Sequence, residues 1–523
     1  MDLPALHLAT SFELLDWVVL GAYFLLLAVS GVLLSWKKQE GTEDYFLGGR
    51  SMPMWAVAFS VLATSQSAAT FIGAPESSYK GNLTFLSFSI GQIVAALVVA
   101  FVFLPVFYRH KVATVYELLE RRVGTPSKLA ASWMFMIGRL FASGARLFMG
   151  SLAMAMILYG DIQWWQVCAA IGVMTLIGIF YTLIGGIRSI IWTDVIQTFV
   201  YVGAAVAALV VLMRMIPVDT QQIMSALSET NDDGTSKLTW LKFDLDPAQP
   251  FTLWTAVLGF ALLNIGFFGT DQDGTQRMLT CKSSAHASRS MLSAVILGIP
   301  VTFLFMAVGL LLWVFYTRPD LMGDAAPEAA GSSMKIFLQF IMTHMPPGMS
   351  GLMMAGLIAA GLSSLNSALN AMSSTFVNDF YRHKCRDRGE EHYLFVGRAG
   401  VMVAGVILGL FGVLCFFWKQ SSDIPLVDFA LLVMAFAYSG LVAIFLTVML
   451  TNRGSNLSVI AALVVGFLIV LVMQKAVWTS ITPQSWHDLK IAFPWQMLLA
   501  TLIAFAVCCL GKQPRDQSDD SVM

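Results

Sequence analysis

The chain has 523 residues, of which 57% are hydrophobic and only 12% are charged, and its formal net charge is −1. Since a soluble domain carries about 25% charged residues, this composition excludes a soluble globular protein and indicates an integral membrane protein. The near-zero net charge offers no electrostatic basis for binding nucleic acid, so no such partner is expected.

Thirteen segments are long and apolar enough to cross a bilayer, which takes about 20 mostly apolar residues. The first begins near residue 14 without a preceding basic segment and is too long for a signal peptide, so we expect it to be retained. Lys and Arg favour one side of the membrane by about two to one, which predicts an outside N-terminus and an inside C-terminus. The predicted spans are 14–36, 54–76, 84–108, 129–158, 163–183, 188–213, 252–277, 290–317, 348–381, 393–418, 426–450, 456–474 and 493–511.

Two of these spans are interrupted where a bilayer would favour an unbroken apolar helix. The second reads SVLATSQSAATFIGAPESSYKGN, with polar residues at its centre followed by Gly73 and Pro75. The seventh reads FALLNIGFFGTDQDGTQR, with Asn264 near its centre and two aspartates beyond it. Helices interrupted at corresponding places in two halves are typical of transporters built from inverted repeats, in which unwound carbonyls bind a cation.

The two interrupted spans lie five spans apart, as the first helices of two five-helix repeats would. This spacing predicts an all-α membrane protein with a simple division along the chain. The predicted regions are 1–53 (an extra helix and the first inner loop), 54–213 (repeat 1), 214–251 (a polar outer loop), 252–450 (repeat 2), 451–511 (two C-terminal helices) and 512–523 (an inner tail).

The ninth span carries eight polar side chains in GLSSLNSALNAMSST, which runs from Gly361 to Thr375. Ser363, Ser367 and Asn370 recur at spacings of four and three and therefore share one helical face, and Ser364 lies about 100° round the helix from Ser363. Packing against neighbouring helices would explain a single serine. The whole face also fits a cation held by hydroxyl groups.

Charged side chains inside a span are costly and indicate functional or paired groups. Arg139 and Arg146 lie seven residues apart in the fourth span, hence nearly on one face. Each would meet either a substrate anion or a structural carboxylate, and the sequence leaves both interpretations open.

Acidic residues in the spans need partners for the same reason. Asp194 lies about a turn and a half inside the sixth span, where Na⁺, an arginine or a helix terminus would serve as its partner. Asp271 and Asp273 lie near the inner end of the seventh span, and we expect them to pair with Arg277.

Four segments, in this order, are similar to motifs of the sodium/solute symporters, a family that carries sugars, proline, sialic acid, iodide and vitamins. They are DYFLGGRSMPMWAVAFSVLATSQSAATFIGAP, GGIRSIIWTDVIQ, TDQDGTQRMLT and GLSSLNSALNAMSSTFVNDFY, within about 44–450. The resemblance implies a LeuT-type 5+5 inverted-repeat fold that works by alternating access. It also implies a sodium site made by the carbonyls of Ala63, Gln66 and Ala360 and the hydroxyls of Ser363 and Ser364.

The resemblance extends to two further sites. Some members bind a second sodium ion, and the matching positions here are Asp194, Ser363, Asn366 and Ser367, with the asparagine in place of a hydroxyl residue. The sialic acid carriers look most similar around the broken helix. Their carboxylate-binding arginine falls on Ala142, about one turn from both Arg139 and Arg146. The implied substrate contacts are Ser65, Ser67, Thr70, Gln92, Asn264, Phe267 and one of the arginines Arg139 and Arg146.

The sequence therefore predicts a symporter of the plasma membrane, such as a bacterial inner membrane, with Na⁺ as the coupling ion. Its expected substrate is a small organic anion such as sialic acid or another carboxylate, and a neutral sugar or amino acid is the alternative. We expect the protein to act as a monomer. The non-transporter alternatives are a channel and a sensor. A channel would need a continuous polar stripe, and a sensor would need an attached signalling domain. No HExxH or GxSxG motif occurs, so enzymatic activity is not expected.

Overall fold

The computed structural model describes residues 12–34, 41–230, 234–323, 333–420 and 426–513. The first 11 residues of the predicted extra region and residues 514–523 of the predicted inner tail lie outside these ranges. Within them the chain is almost entirely helical, and β-pairing is limited to isolated bridges such as that between Met52 and Cys281. Helices predominate because a helix satisfies its own backbone polar groups, as hydrocarbon surroundings require.

The helices are connected mostly by short loops, and two successive long helices, Trp164–Leu183 and Gly185–Met215, follow each other directly with a kink at Gly186 (φ 55°). Those of the first half are α1 (Leu14–Leu34), α2 (Thr42–Leu47), α3 (Met54–Ser65), α4 (Ala68–Lys80), α5 (Leu83–Arg109), α6 (Glu117–Arg122), α7 (Thr125–Tyr159), α8 (Trp164–Leu183) and α9 (Gly185–Met215). Those of the second half are α10 (Thr220–Ser228), α11 (Thr255–Thr270), α12 (Gln272–Leu279), α13 (Ser284–Thr317), α14 (Ser333–Thr343), α15 (Met349–Lys384), α16 (Glu390–Gln420), α17 (Leu426–Leu450), α18 (Asn456–Val472), α19 (Lys475–Ile481) and α20 (Phe493–Cys509).

By length and composition, seven helices of the described ranges can cross a membrane unaided, and the bent pair α3 and α4 would make an eighth span. The seven are α5, α8, α9, α13, α15, α16 and the Leu431–Leu450 part of α17. Shorter apolar helices coincide with further predicted spans, namely part of α1, α11, α18 and α20. The predicted fourth span coincides with α7, whose two buried arginines lower its apolar character.

The second predicted span is broken as its sequence indicated. Helix α3 ends at Ser65, α4 begins at Ala68, and their axes differ by 59°. Gln66 and Ser67 between them are extended, with φ/ψ of −88°/123° and −131°/177°. The Ser65 hydroxyl donates to the Leu62 carbonyl at 2.8 Å, which competes with the helical pattern. The break leaves carbonyls at the end of α3 and N–H groups at the start of α4 without intrahelical partners.

The seventh predicted span is interrupted near its C-terminal end rather than at Asn264. Helix α11 continues through Asn264, and the chain becomes extended at Asp271 (φ −94°, ψ 125°). A carboxylate oxygen of Asp271 then accepts a hydrogen bond from the N–H of Asp273 at 2.8 Å, which starts α12. The two aspartates therefore lie at a helix start, where negative charge is favourable.

Helix α15 occupies the centre of the bundle and packs against α1, α7, α9 and α16. Within its apolar segment, 94% of the residues are buried. Its small side chains let neighbours approach closely; a Cβ added to Gly150 of α7 would lie 3.3 Å from the Cα of Gly361. The Ser373 hydroxyl donates to the Gly397 carbonyl at 2.6 Å. Packing therefore explains part of the serine-rich face.

Asp16 in the first turn of α1 fixes the start of α15. One of its carboxylate oxygens accepts hydrogen bonds from the N–H groups of Gly348 at 2.8 Å and Gly351 at 2.7 Å. The helices touch here so closely that a Cβ on Gly351 would lie 2.5 Å from the Asp16 carbonyl oxygen. Helix α1 is thus docked on α15 by a buried cap.

Candidate functional site

A cavity lies against the break between α3 and α4. Helices α5, α7, α11 and α17 complete its wall. Seven of the eight side chains that the sequence predicts as substrate contacts line it, namely Ser65, Ser67, Thr70, Gln92, Arg146, Asn264 and Phe267. The structure thus brings together residues spread over some 200 positions of the chain.

The remaining wall is apolar and was not predicted. It consists of Ala69, Phe85, Phe88, Leu263, Leu431 and Met434. These residues lie in apolar spans, where a side chain that faces a cavity cannot be told from one that faces lipid or a neighbouring helix. Apolar walls with a few polar groups are typical of sites for small organic molecules.

Arg146 is the charged residue of this cavity, and its guanidinium is buried, with 6% of the residue exposed. One terminal nitrogen lies 3.5 Å from the sulfur of Met434, and the group sits 6.0 Å from the centre of the Phe267 ring. Its other two nitrogens have no hydrogen-bond partner. Among the ion pairs of the described residues, none involves Arg146. A buried, unpaired guanidinium is costly, and an anion in the cavity would compensate it.

Arg139, the other arginine predicted as a candidate substrate contact, does not line the cavity. Its guanidinium is fully buried and paired with the carboxylates of Asp271 and Asp273, the latter at 2.8 Å. The Tyr438 hydroxyl lies 3.2 Å from Arg139 and donates to Asp271 at 2.6 Å. Of the two interpretations left open for this arginine, the structural carboxylate is therefore the one the structure displays.

The ion pair of Arg139 belongs to a longer buried network. Arg277 lies 3.0 Å from Asp273 and 3.1 Å from Asp194, and each of the five charged side chains is at most 1% exposed. The expected pair of Asp273 with Arg277 forms, whereas Asp271 pairs with Arg139 instead. With three carboxyl and two guanidinium groups, the network carries one net negative charge when all are ionised.

A second, smaller cavity is lined by most of the predicted sodium ligands. Ala63, Gln66, Ala360 and Ser363 line it, while the Ser364 hydroxyl donates to the Ala360 carbonyl at 3.2 Å. The end of α3 contributes carbonyl groups that the break has freed from helical hydrogen bonds. Oxygen ligands of this kind suit a hard cation. In the described ranges no group of three or more His, Cys, Asp or Glu residues is placed to hold a metal ion, so a cation site here would depend on neutral oxygens.

The candidate second sodium site is partly taken up by Arg277. Its guanidinium contacts both Asp194 and the Ser367 hydroxyl. The Ser363 hydroxyl donates to Asp194 at 2.6 Å. The side-chain oxygen of Asn366 is buried without a hydrogen-bond partner. Two of the predicted ligands thus already interact with a positive charge that the chain itself supplies.

A helix broken between a cavity with an unpaired guanidinium and a cavity that holds most of the predicted sodium ligands is the arrangement expected of a secondary transporter that couples a cation to a solute. Comparison with known proteins agrees. This chain belongs to the sodium:solute symporter family, whose sequence model matches residues 45–466. It is therefore a sodium-coupled symporter and not an enzyme. Na⁺ is its coupling ion, and it is a multi-pass protein of the plasma membrane.

Its relatives include two bacterial sialic acid symporters. The chain is 30% identical over 417 residues to the sodium/sialic acid symporter SiaT of Proteus mirabilis (strain HI4320), covering 79% of both chains. It is 31% identical over 405 residues to the sodium/sialic acid symporter NanT of Aliivibrio fischeri (strain ATCC 700601 / ES114), covering 76% of both. The mouse sodium-coupled monocarboxylate transporter 1 is 28% identical over 466 residues, which cover 88% of this chain and 73% of the transporter.

Solved structures show the same fold. The substrate-bound outward-open structure of a Na⁺-coupled sialic acid symporter superimposes with a TM-score of 0.80 and 26% identity, covering 95% of this chain and 97% of that one. Mhp1, a nucleobase-cation-symport-1 family transporter, gives a TM-score of 0.51 at 16% identity, covering 90% and 95%. The architecture is accordingly that of LeuT-type transporters.

Proposed function

We propose that this symporter imports a small organic anion, a carboxylate such as sialic acid, together with one Na⁺. The observation that carries the proposal is Arg146, a buried guanidinium without a carboxylate partner in the wall of the larger cavity. A carboxylate would supply two acceptor oxygens in the geometry that guanidinium prefers. The names of SiaT and NanT, both sialic acid symporters, support the same substrate class.

The two helix ends that meet at the break, the end of α3 and the start of α4, favour charges of opposite sign. Helix α4 spans 13 residues, and Ser67, Ala69 and Thr70 at its start line the larger cavity. The start of a helix carries partial positive charge and favours an anion. The end of α3 carries partial negative charge and favours a cation, and its residues Ala63 and Gln66 line the smaller cavity. Substrate anion and Na⁺ would therefore each face the favourable end of a half-helix.

We propose a single Na⁺, held by the Ala63, Gln66 and Ala360 carbonyls and the Ser363 and Ser364 hydroxyls. Ser363 connects this position to the buried network through its hydrogen bond to Asp194. The net negative charge of that network would attract the ion. Arg277 would act as a tethered cation at Asp194 and Ser367 in place of a second sodium ion.

One Na⁺ and one monovalent anion carry no net charge across the membrane. The driving force is then the sodium concentration gradient alone, in which a tenfold gradient corresponds to about 1.4 kcal/mol and supports about tenfold accumulation of substrate. Coupling requires that the affinities for ion and substrate differ between the outward-facing and inward-facing states.

A monocarboxylate smaller than sialic acid is the second candidate substrate. The similarity to the mouse monocarboxylate transporter favours it, and Arg146 would bind its carboxylate in the same way. A neutral sugar or amino acid would leave that guanidinium without a counter-charge, which makes it the weaker alternative.

Uptake into proteoliposomes tests the function directly. Sialic acids, monocarboxylates, sugars and amino acids are offered in Na⁺ or choline buffer. We expect Na⁺-dependent uptake of an acidic solute only. Uptake confined to neutral solutes would refute the proposal that the substrate is an anion. Equal uptake in the two buffers would refute coupling to Na⁺.

We further propose the finer topology that the sequence predicts: thirteen spans, N-terminus outside, C-terminus inside, repeats at 54–213 and 252–450, and function as a monomer. The excess of basic residues in the predicted inner loops supports the orientation. Labelling of single cysteines introduced at Lys80 and Arg453 by a membrane-impermeant maleimide in intact cells tests it. Reaction at Arg453 and protection at Lys80 would show that the orientation is opposite to the one proposed.

A further inference from the structure

Two loops outside the membrane-crossing helices expose large apolar side chains. One is the second half of the connection between α9 and α11, which the sequence alone classes as polar, and the other joins α18 to α20. Six of these side chains, each between 49% and 68% exposed, make up what we call the loop patch: Trp240, Phe243, Leu245, Ile481, Trp486 and Leu489. Apolar surface of this kind is rarely left in contact with water and marks an interaction site, so the patch needs a partner.

Hydrogen bonds join the two loops to each other and to the start of α11. The N–H of Ala492 donates to the Pro247 carbonyl at 2.7 Å, which connects the loops directly. The indole N–H of Trp254, next to the first residue of α11, donates to the Phe243 carbonyl at 3.0 Å. The two loops therefore lie together at the starts of α11 and α20.

The loop patch adjoins the surface that lipid covers on these two helices. In a multi-pass membrane protein, exposed apolar side chains of the spanning helices face hydrocarbon. Those near the starts of α11 and α20 are Trp254, Val257, Leu258, Leu499, Leu502 and Ile503. Since Trp254 belongs to this set and is bonded to Phe243, the loop patch continues the lipid-covered surface rather than forming a separate area.

The residues of the loops suit the boundary between headgroups and acyl chains. In KFDLD, residues 242–246, charged residues alternate with Phe243 and Leu245, and no helix covers the segment. Such alternation lets apolar side chains enter a membrane while their charged neighbours stay in water. Tryptophan is enriched at this level of the bilayer. The indole N–H of Trp478 donates to the Trp486 carbonyl at 3.0 Å, which satisfies a backbone group that lipid could not.

We propose that the loop patch lies in the membrane interface, with its apolar side chains inserted among the acyl chains of the adjoining leaflet. The partner is the phospholipid bilayer rather than water or a second copy of the chain. The proposal is independent of the substrate and of sodium, because it follows from the placement of the two loops beside α11 and α20. The protein thus contacts the membrane through loops as well as through its spanning helices.

The anchored loop also supports the wall of the larger cavity. Phe251, at the end of the loop that carries Phe243, packs edge-to-face against Phe85 with ring centres 5.2 Å apart and stacks on Phe260 at 5.6 Å. Phe85 lines the cavity. Fixing the loop at the membrane therefore also fixes a side chain that lies behind this wall.

Spin labels in liposomes test the placement. Single cysteines replace Phe243, Leu245 or Trp486 in a variant whose six native cysteines have been removed, and an unchanged Tm verifies the fold of each. We expect every label to collide more often with oxygen, which dissolves among acyl chains, than with the water-soluble nickel complex NiEDDA. Ser225→Cys on α10, an exposed position of the same connection, is the control and should show the reverse.

A charge placed in the loop patch gives a second test. Phe243→Glu should move the label at residue 245 into water, because a carboxylate among acyl chains is costly. Gln249→Glu, at an exposed polar position of the same loop, should leave that label in place.

Two results would overturn the proposal. Labels in the loop patch that collide with NiEDDA as often as the label at residue 225 would show that the patch faces water. Spin–spin broadening that disappears on dilution with unlabelled protein would show that a second copy of the chain covers it.

Discussion

Arg139 and Arg146 lie seven residues apart on α7, yet Arg139 is paired with two carboxylates whereas Arg146 meets the sulfur of Met434. Both side chains are at least nine-tenths buried. Removing the first would take the arginine partner from Asp271 and leave Asp273 with Arg277 alone, and removing the second would strand no acid. The two arginines therefore have opposite expected effects on stability and on substrate binding.

Replacing Arg146 by Met should abolish the anion site with little cost to the fold. Loss of one partner of a desolvated charge pair costs about 2–5 kcal/mol of binding, so we expect the substrate KM to rise about 30-fold or more. The Tm should stay unchanged or rise, because an unpaired buried charge is removed. Uptake kinetics and thermal unfolding in detergent give the two values.

Arg139→Met is the matched variant of that experiment. It removes the arginine partner of Asp271 and leaves Asp273 with Arg277 alone, which we expect to cost about 3–5 kcal/mol of stability and to lower the Tm and the yield. A normal Tm for Arg139→Met, or an unchanged KM for Arg146→Met, would contradict the assignment of the two roles.

Ser364→Ala should weaken sodium binding. Removing one of five proposed oxygen ligands should raise the Na⁺ concentration for half-maximal uptake by about tenfold, corresponding to about 1.4 kcal/mol, and leave the maximal rate similar. Ser373→Ala is the control, since its hydroxyl bonds to the Gly397 carbonyl in a helix contact. If Ser364→Ala shows the same sodium dependence as Ser373→Ala, Ser364 is not a ligand.

Transport of a monovalent anion with one Na⁺ should be electroneutral. Proteoliposomes clamped with valinomycin and potassium gradients should show the same initial uptake rate at 0 and −100 mV, with a Hill coefficient for Na⁺ near one. A second Na⁺ would move one net charge inward, worth about 2.3 kcal/mol per 100 mV. Faster uptake at negative potential would thus show that Arg277 does not replace the second ion.

Gly351→Ala should destabilise the contact between α1 and α15. The new methyl group would lie 2.5 Å from the Asp16 carbonyl oxygen, and overpacking of this kind costs about 1–3 kcal/mol. Gly203→Ala in α9 is the control, because nothing lies within 4 Å of its added Cβ. Thermal unfolding should show a lower Tm only for Gly351→Ala, and equal Tm values would refute the close packing.

The sequence predicted the broken helix and the serine-rich face because both depend on local residue patterns. The run SQSAAT interrupts an apolar span, and polar spacing of three and four defines a helix face. The resemblance to a known family then predicted most of the polar residues of the larger cavity as substrate contacts.

The partners of buried charges could not be predicted in the same way. Arg139 and Asp271 are 132 positions apart, and their contact depends on how α7 packs beside the α11–α12 break. Sequence alone favoured the nearby Arg277 as the partner of both aspartates, and this holds only for Asp273, four residues before it. The apolar cavity residues Phe88 and Met434 gave no signal either, because nothing in an apolar span marks the side that faces a cavity.

The break between α3 and α4 has one more consequence. Ser65 and Ser67 line the larger cavity, whereas Gln66 between them lines the smaller one. Successive side chains of extended backbone point to opposite sides, so this one segment of chain contributes to the walls of both cavities. A rotation about the Gln66 backbone bonds would therefore move residues of both walls. The segment is a direct structural link between the two cavities.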